Sequence, residues 1–179
     1  MGFYDFNEML MFSQGSKLDS DIDTIKKILL GTTYVEKSST DLDKMGVDFI
    51  ATLRGGAQVF IDVKTRQDGC SKYWNGEPEV AIEKWSAIPN KLSKGKVGWT
   101  LDEKKLCDMI MYTFPKNDCN KVFLLGFQTL RIATRLNIES WYGKYKVGVQ
   151  NSGNWKSEAV FVPISVVFKA MKSAQSFER

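Results

Sequence analysis

The chain contains no histidine. That absence excludes imidazole-built zinc sites, Ser-His-Asp triads, Cys-His proteases and nucleases that hold their metal through histidine. Any hydrolytic chemistry must rest on carboxylates, Lys, Tyr, Ser or Cys. Cysteine is scarce: Cys70, Cys107 and Cys119 are odd in number and lack CxxC spacing. The segment MGFYDFNEML lacks a basic stretch before an apolar one, so reduced thiols and a cytoplasmic location are expected. There are only four prolines, and no Pro- or Ser-rich stretch divides the 179 residues. A single domain, 1–179, is therefore expected, with 43% hydrophobic and 26% charged residues in ordinary globular proportion. No apolar run approaches the ~20 residues that span a bilayer, so no membrane partner is expected. Neither sign of charge dominates. A net charge of +4 and a pI near 8.9 permit contact with a polyanion without requiring it, and argue against a protein that mimics DNA.

What is present concentrates in GVDFIATLRGGAQVFIDVKTR, residues 46–66. Val47 to Leu53 is rich in β-formers, Arg54-Gly55-Gly56-Ala57 is a turn, and Val59 to Val63 begins a return arm, so the run predicts a β-hairpin. Side chains alternate along a strand, placing Phe60, Asp62 and Lys64 on one face and Ile61 and Val63 on the other. Asp62 and Lys64 then lie roughly 6–7 Å apart along the strand, and the hairpin brings Asp48 back beside Asp62.

Two carboxylates and an ammonium suit Mg²⁺, a hard cation that takes one or two protein carboxylates plus water and phosphate. Such a cation polarises a phosphate oxygen and acidifies a bound water, while Lys64 positions that water or offsets charge on phosphorus. The plain alternative is an exposed ion pair worth little, since Asp-x-Lys is common on strands. The preceding Gly-Val-Asp strand and its glycine turn favour the catalytic reading.

Asp48 followed by Asp62-Val63-Lys64 at the end of the next strand resembles the PD-(D/E)XK nuclease superfamily, over about residues 17–66. Val47 stands where the family's name has proline. The resemblance implies an α/β (α+β) fold with a central mixed sheet flanked by helices, as in restriction endonucleases and Holliday-junction resolvases. It implies a Mg²⁺-dependent deoxyribonuclease of the endonuclease type, in which Mn²⁺ can replace Mg²⁺, with DNA as partner. Asp48, Asp62 and the Val63 carbonyl would be metal ligands and Lys64 catalytic. Members commonly pair so that each site cuts one strand, so a homodimer is one arrangement it implies. The family adds an acid from an N-terminal helix. Asp19, Asp21 and Asp23 are the candidates; Asp21 is preferred because Ile25, Ile28 and Leu29 follow at helical spacing. The alternative function is a nuclease-fold protein without activity, serving as a nucleic-acid-binding or regulatory module.

Elsewhere, Asp19 or Ser20 to Leu30 predicts a helix ended by Gly31, Thr32 to Glu36 a short strand, and Lys37 to Lys44 a polar loop. Residues 67–106 read poorly, apart from a strand at Val80-Ala81-Ile82. Lys91, Lys94 and Lys96, interleaved with tryptophans, either track a phosphate backbone or are simply solvated. Glu79 and Glu83 are further candidate metal ligands. Met109 to Phe114 predicts a strand, and the apolar run Val122 to Phe127 a buried central one. A helix follows from Gln128 to Ile138, extending toward Tyr145. Arg131 and Arg135 on it either contact phosphates or lie on a solvated face, the commoner arrangement. Val147 to Gln150 and Glu158 to Val162, around an Asn151-Ser152-Gly153 turn, predict two strands completing the mixed sheet before a helix from Ser165 to Ala174.

Overall fold

The hairpin forms as its residues dictate, and the rest of the chain is arranged around it. In the computed structural model, which describes residues 17–91, 93–151 and 155–175, β2 (Phe49–Leu53) and β3 (Gln58–Thr65) pair antiparallel. Gly55 and Gly56 carry φ of +96° and +86°, the left-handed backbone that a tight turn needs and that only glycine adopts cheaply. Strand β1 (Thr32–Lys37) pairs with the outer side of β2. Strand β6 (Met109–Thr113) joins β3 in parallel, and β7 (Val122–Gly126) pairs antiparallel with β6. The result is a mixed five-stranded sheet in the order β1-β2-β3-β6-β7, flanked by helices, in an α+β fold.

The parallel register depends on Asp108. Its Oδ2 accepts the Phe60 N–H at 2.8 Å and its own N–H donates to the Phe60 carbonyl at 2.8 Å, which fixes β6 against β3. Its carbonyl accepts the Phe127 N–H at 2.8 Å and so also sets the start of the next helix.

Helix α1 (Lys17–Ile28) covers one sheet face, placing the fully buried Ile25 among Val35, Phe49, Ala51, Ile61 and Met111. Burying an isoleucine of this kind stabilises by roughly 1.5–3 kcal/mol. The other face packs Ile110, Tyr112 and Leu125 against α3 (Phe127–Lys144) and α4 (Ile164–Gln175). Asp48, Phe60, Asp62 and Lys64 belong to that second face by alternation.

Three expectations are corrected. The predicted loop 37–44 contains a short helix, α2 (Thr40–Lys44), because the Ser39 hydroxyl caps it by accepting the Leu42 N–H at 3.4 Å. The run Val122 to Phe127 is at the edge of its sheet. It is apolar because Val122 and Leu124 pack into the α1 side and Phe123 and Leu125 into the other. The last two strands do not complete the mixed sheet. Strands β8 (Val147–Asn151) and β9 (Lys156–Pro163) join β4 (Glu79–Ala87) and β5 (Lys96–Val97) in a separate antiparallel sheet ordered β5-β4-β9-β8. Of the expected Asn151-Ser152-Gly153 turn, Asn151 ends β8, and Ser152 and Gly153 lie outside the described residues.

Strands β4 and β9 turn Val80, Ile82, Val160 and Val162 into the same core cluster as the first sheet. Their alternate residues, Ala81, Glu83, Ala159 and Phe161, face an open cleft between the sheets. Among the described residues, no helix is long and apolar enough to cross a membrane.

Candidate functional site

Asp48 precedes β2 by one residue, opposite Asp62 and one step beyond the Phe49–Ile61 pair. Its N–H donates to the Ile61 carbonyl at 2.8 Å, and its Oδ2 accepts the Val63 N–H at 2.6 Å. The Asp48 carboxylate therefore closes over the peptide that joins Asp62 to Val63. Asp62 is 2% exposed. Its Oδ1 receives the Lys64 ammonium at 2.5 Å, while its Oδ2 is buried without a hydrogen-bond partner. Lys64 also stands 5.8 Å from the centre of the Trp99 ring.

Burial lifts the Asp48 carboxyl above the ordinary carboxylate range, and the neighbouring Asp62 charge adds to this. The Val63 N–H, Lys64 and a hydrogen bond with Asp43 act in the opposite direction. Asp43, exposed along the surface of α2, is raised by partial burial and by the same hydrogen bond to Asp48. The capped helix thus brings a further acid near Asp48 without completing a three-acid group. The signal was present in Ser39-Ser/Thr-type capping followed by Asp41 and Asp43, which reads as a first helical turn.

Gly46 positions this corner. Its φ is +78°, and a Cβ there would lie 2.2 Å from Lys105 Cδ, so the Lys105 side chain lies across the glycine. Cys107, 1% exposed, sits near Asp62; burial first and the Asp62 charge second push its thiol up to about 12. It is a packing residue.

The other sequence-predicted residues are dispersed. Asp21 is half-buried on α1, the helix that covers the Ile61 and Val63 face, away from the face shared by Asp62 and Lys64. Lys91 and Lys94 are exposed near the β4–β5 turn, and Lys96 reaches the cleft. Arg135 pairs with Glu103 at 2.9 Å on the surface. Glu83 is on the cleft wall and receives the Ser86 hydroxyl at 2.7 Å. Glu79 is 6% exposed and raised by burial.

Arg131 is corrected outright: it lies inside, neither solvated nor available to phosphate. Its guanidinium donates to the Asp102 carbonyl at 2.9 Å and the Lys105 carbonyl at 3.4 Å, and stacks 4.5 Å from the Phe127 ring centre. These bonds tie the 102–105 loop to α3. Arg131→Met should destabilise the fold by about 1–3 kcal/mol, since two part-buried carbonyls lose a charged donor. Denaturant midpoints test this; an unchanged midpoint would show that the loop does not depend on the guanidinium.

The chain matches no family model, no curated protein and no solved structure. Among the described residues, no group of three His, Cys, Asp or Glu side chains is arranged to hold a metal. This rules against an all-protein cage there, but Mg²⁺ needs only one or two carboxylates and fills the remainder with water and phosphate. The buried, unpartnered Asp62 Oδ2 beside a second acid is the oxygen that such a cation would satisfy.

Proposed function

We propose that this protein is a divalent-metal-dependent nuclease that hydrolyses phosphodiester bonds of DNA. One observation carries the reading. Asp48 closes over the Asp62–Val63 peptide while Lys64 is held against Asp62 at the head of an open cleft. The resemblance to the PD-(D/E)XK superfamily supports the same assignment.

Mg²⁺, or Mn²⁺ in its place, would be held by Asp48, Asp62 and the Val63 carbonyl. When bound, it supplies Lewis-acid polarisation of a phosphate oxygen and a water of lowered pKa. The residues of the chain do the rest. Asp62 holds the Lys64 ammonium by a 2.5 Å bond, so its positive charge is fixed beside the place where a phosphate would enter. An ammonium prepositioned in this way stabilises negative charge that grows on the phosphoryl oxygens as water adds and the sugar oxygen leaves. Trp99, 7% exposed, limits water around it.

The test is incubation of the protein with linear, nicked, single-stranded and branched DNA in Mg²⁺, Mn²⁺ or EDTA. Cleavage with either metal and none in EDTA is expected; cleavage that persists in EDTA would overturn the metal assignment. A second reading, an inactive nuclease-fold module, is favoured by the lack of a three-ligand group among the described residues. Binding without cleavage under every condition would select it.

A further inference from the structure

Resting on the nuclease reading only for where a reacting phosphate would sit, we infer that the cleft between the two sheets takes an unpaired polynucleotide strand. The cleft has a volume of about 700 Å³ and is lined by Lys64, Arg66, Lys72, Lys96 and Lys105. Among the described residues, Lys64 is paired with Asp62, whereas the other four cations form no ion pair. The acids on the walls are locally engaged. Asp68 accepts from Gly69 and Asn117, Glu83 from Ser86, and Asp102 from Lys104. Four cations without an ion pair face three carboxylates that are bonded only to neutral donors, so the lining stays net positive by a small margin and attracts phosphate.

The spacing suits a strand. Arg66 is two residues beyond Lys64 on the same face, about 6.6 Å further along the chain, an interval comparable to that between successive phosphates of an extended strand. Its guanidinium lies 4.8 Å from the Phe161 ring centre, and its buried Nε has no hydrogen-bond partner. Beyond it, Tyr73 is 57% exposed, with Lys72 at 4.9 Å and Lys146 at 4.6 Å from its ring centre. An exposed ring among cations is a platform on which a base stacks while its phosphates are neutralised.

Size selects against a duplex. A 700 Å³ cleft is in the range of small-ligand sites and admits a short unpaired stretch. A double helix is wider than its own major groove of about 12 Å, which makes it too bulky to seat within that volume.

The experiment is fluorescence anisotropy in EDTA, so that binding is read without cleavage. The probes are a labelled thymidine oligomer of about 12 nucleotides, its ribo counterpart, and a DNA duplex of equal length. A single strand of either sugar is expected to bind at least about 10-fold more tightly than the duplex, with the two sugars distinguishing which polynucleotide is preferred. The exposed pair Lys72→Ala/Lys96→Ala should weaken strand binding about 10-fold and reduce the salt slope by roughly 1.4, at ~0.7 per lost contact. Tyr73→Ala should weaken it and Tyr73→Phe should not. Lys116→Ala and Lys169→Ala, outside the cleft, are controls. Duplex binding as tight as the strand, or a Lys72/Lys96 variant indistinguishable from the controls, would overturn the inference. Strand binding with no cleavage in Mg²⁺ would remove the nuclease reading alone. Duplex cleavage without strand preference would remove this inference alone.

Discussion

Lys64→Ala is expected to reduce phosphodiester cleavage by roughly 10²–10³-fold, the usual effect of removing one prepositioned electrostatic group, and to destabilise the protein as well. The second effect follows from the geometry. Asp62 is 2% exposed, its Oδ1 has the Lys64 ammonium as partner and its Oδ2 has none. Removing the lysine leaves a buried carboxylate without compensation. Breaking a buried pair in this way costs about 3–5 kcal/mol, here toward the lower end because the Lys64 side chain keeps some contact with solvent.

Loss of activity and loss of folding must therefore be separated. Asp62→Asn/Lys64→Met removes both charges, so stability should return most of the way while cleavage remains absent. Single-turnover cleavage and denaturant unfolding of the two single variants and the double variant form the cycle that decides. Cleavage by the purified double variant at the wild-type rate would remove Asp62 and Lys64 from the site.

Asp48→Asn should raise the melting temperature at neutral pH in EDTA, although the residue is proposed to be essential. The folded state raises the Asp48 carboxyl above its ordinary value, chiefly through burial. A raised carboxyl favours the folded state when protonated. That contribution is fully present below the ordinary value of 3.8 and is lost as pH rises through the raised one. Above the raised value the ionised Asp48 is thus a destabilising group. Asparagine keeps an oxygen for the Val63 N–H and removes the charge next to Asp62. The advantage of the variant should be greatest at neutral pH and should shrink as the pH falls toward 3.8.

Mg²⁺ should close the gap from the other side. It would stabilise the wild type by about 2.7 kcal/mol at a hundredfold excess over its dissociation constant, with little effect on the asparagine variant. Thermal unfolding at several pH values, with and without Mg²⁺, measures both. A variant less stable than wild type at pH 7 in EDTA would show that Asp48 is a structural residue and its charge no burden.

The parts of this protein that were legible in the sequence are those governed by neighbours along the chain. Alternation put Asp62 and Lys64 on one face, and Gly55-Gly56 specified the turn that returns Asp48 to them. The helices at 127–144 and 164–175 were expected from Gln128 to Ile138, extending toward Tyr145, and from Ser165 to Ala174 after Pro163. The lack of histidine narrowed the chemistry before any fold was known.

Other features were decided by tertiary contacts alone. Whether β8 and β9 would extend the mixed sheet depended on β4, which pairs Val80 with Val162 across 82 positions, a preference that no local pattern expresses. That pairing made the second sheet, and the second sheet made the cleft. Arg131 has the spacing of a surface residue, yet it is buried because the 102–105 carbonyls turn toward it. Asp43 reached Asp48 through a helix of five residues, too short for periodicity to reveal. The sequence by itself determined which side chains share a strand face and where the chain turns, because those depend on backbone geometry repeated every few residues. Only the tertiary structure decided which acids meet and which cations stand unpaired, because burial and charge compensation depend on segments that are far apart in the chain.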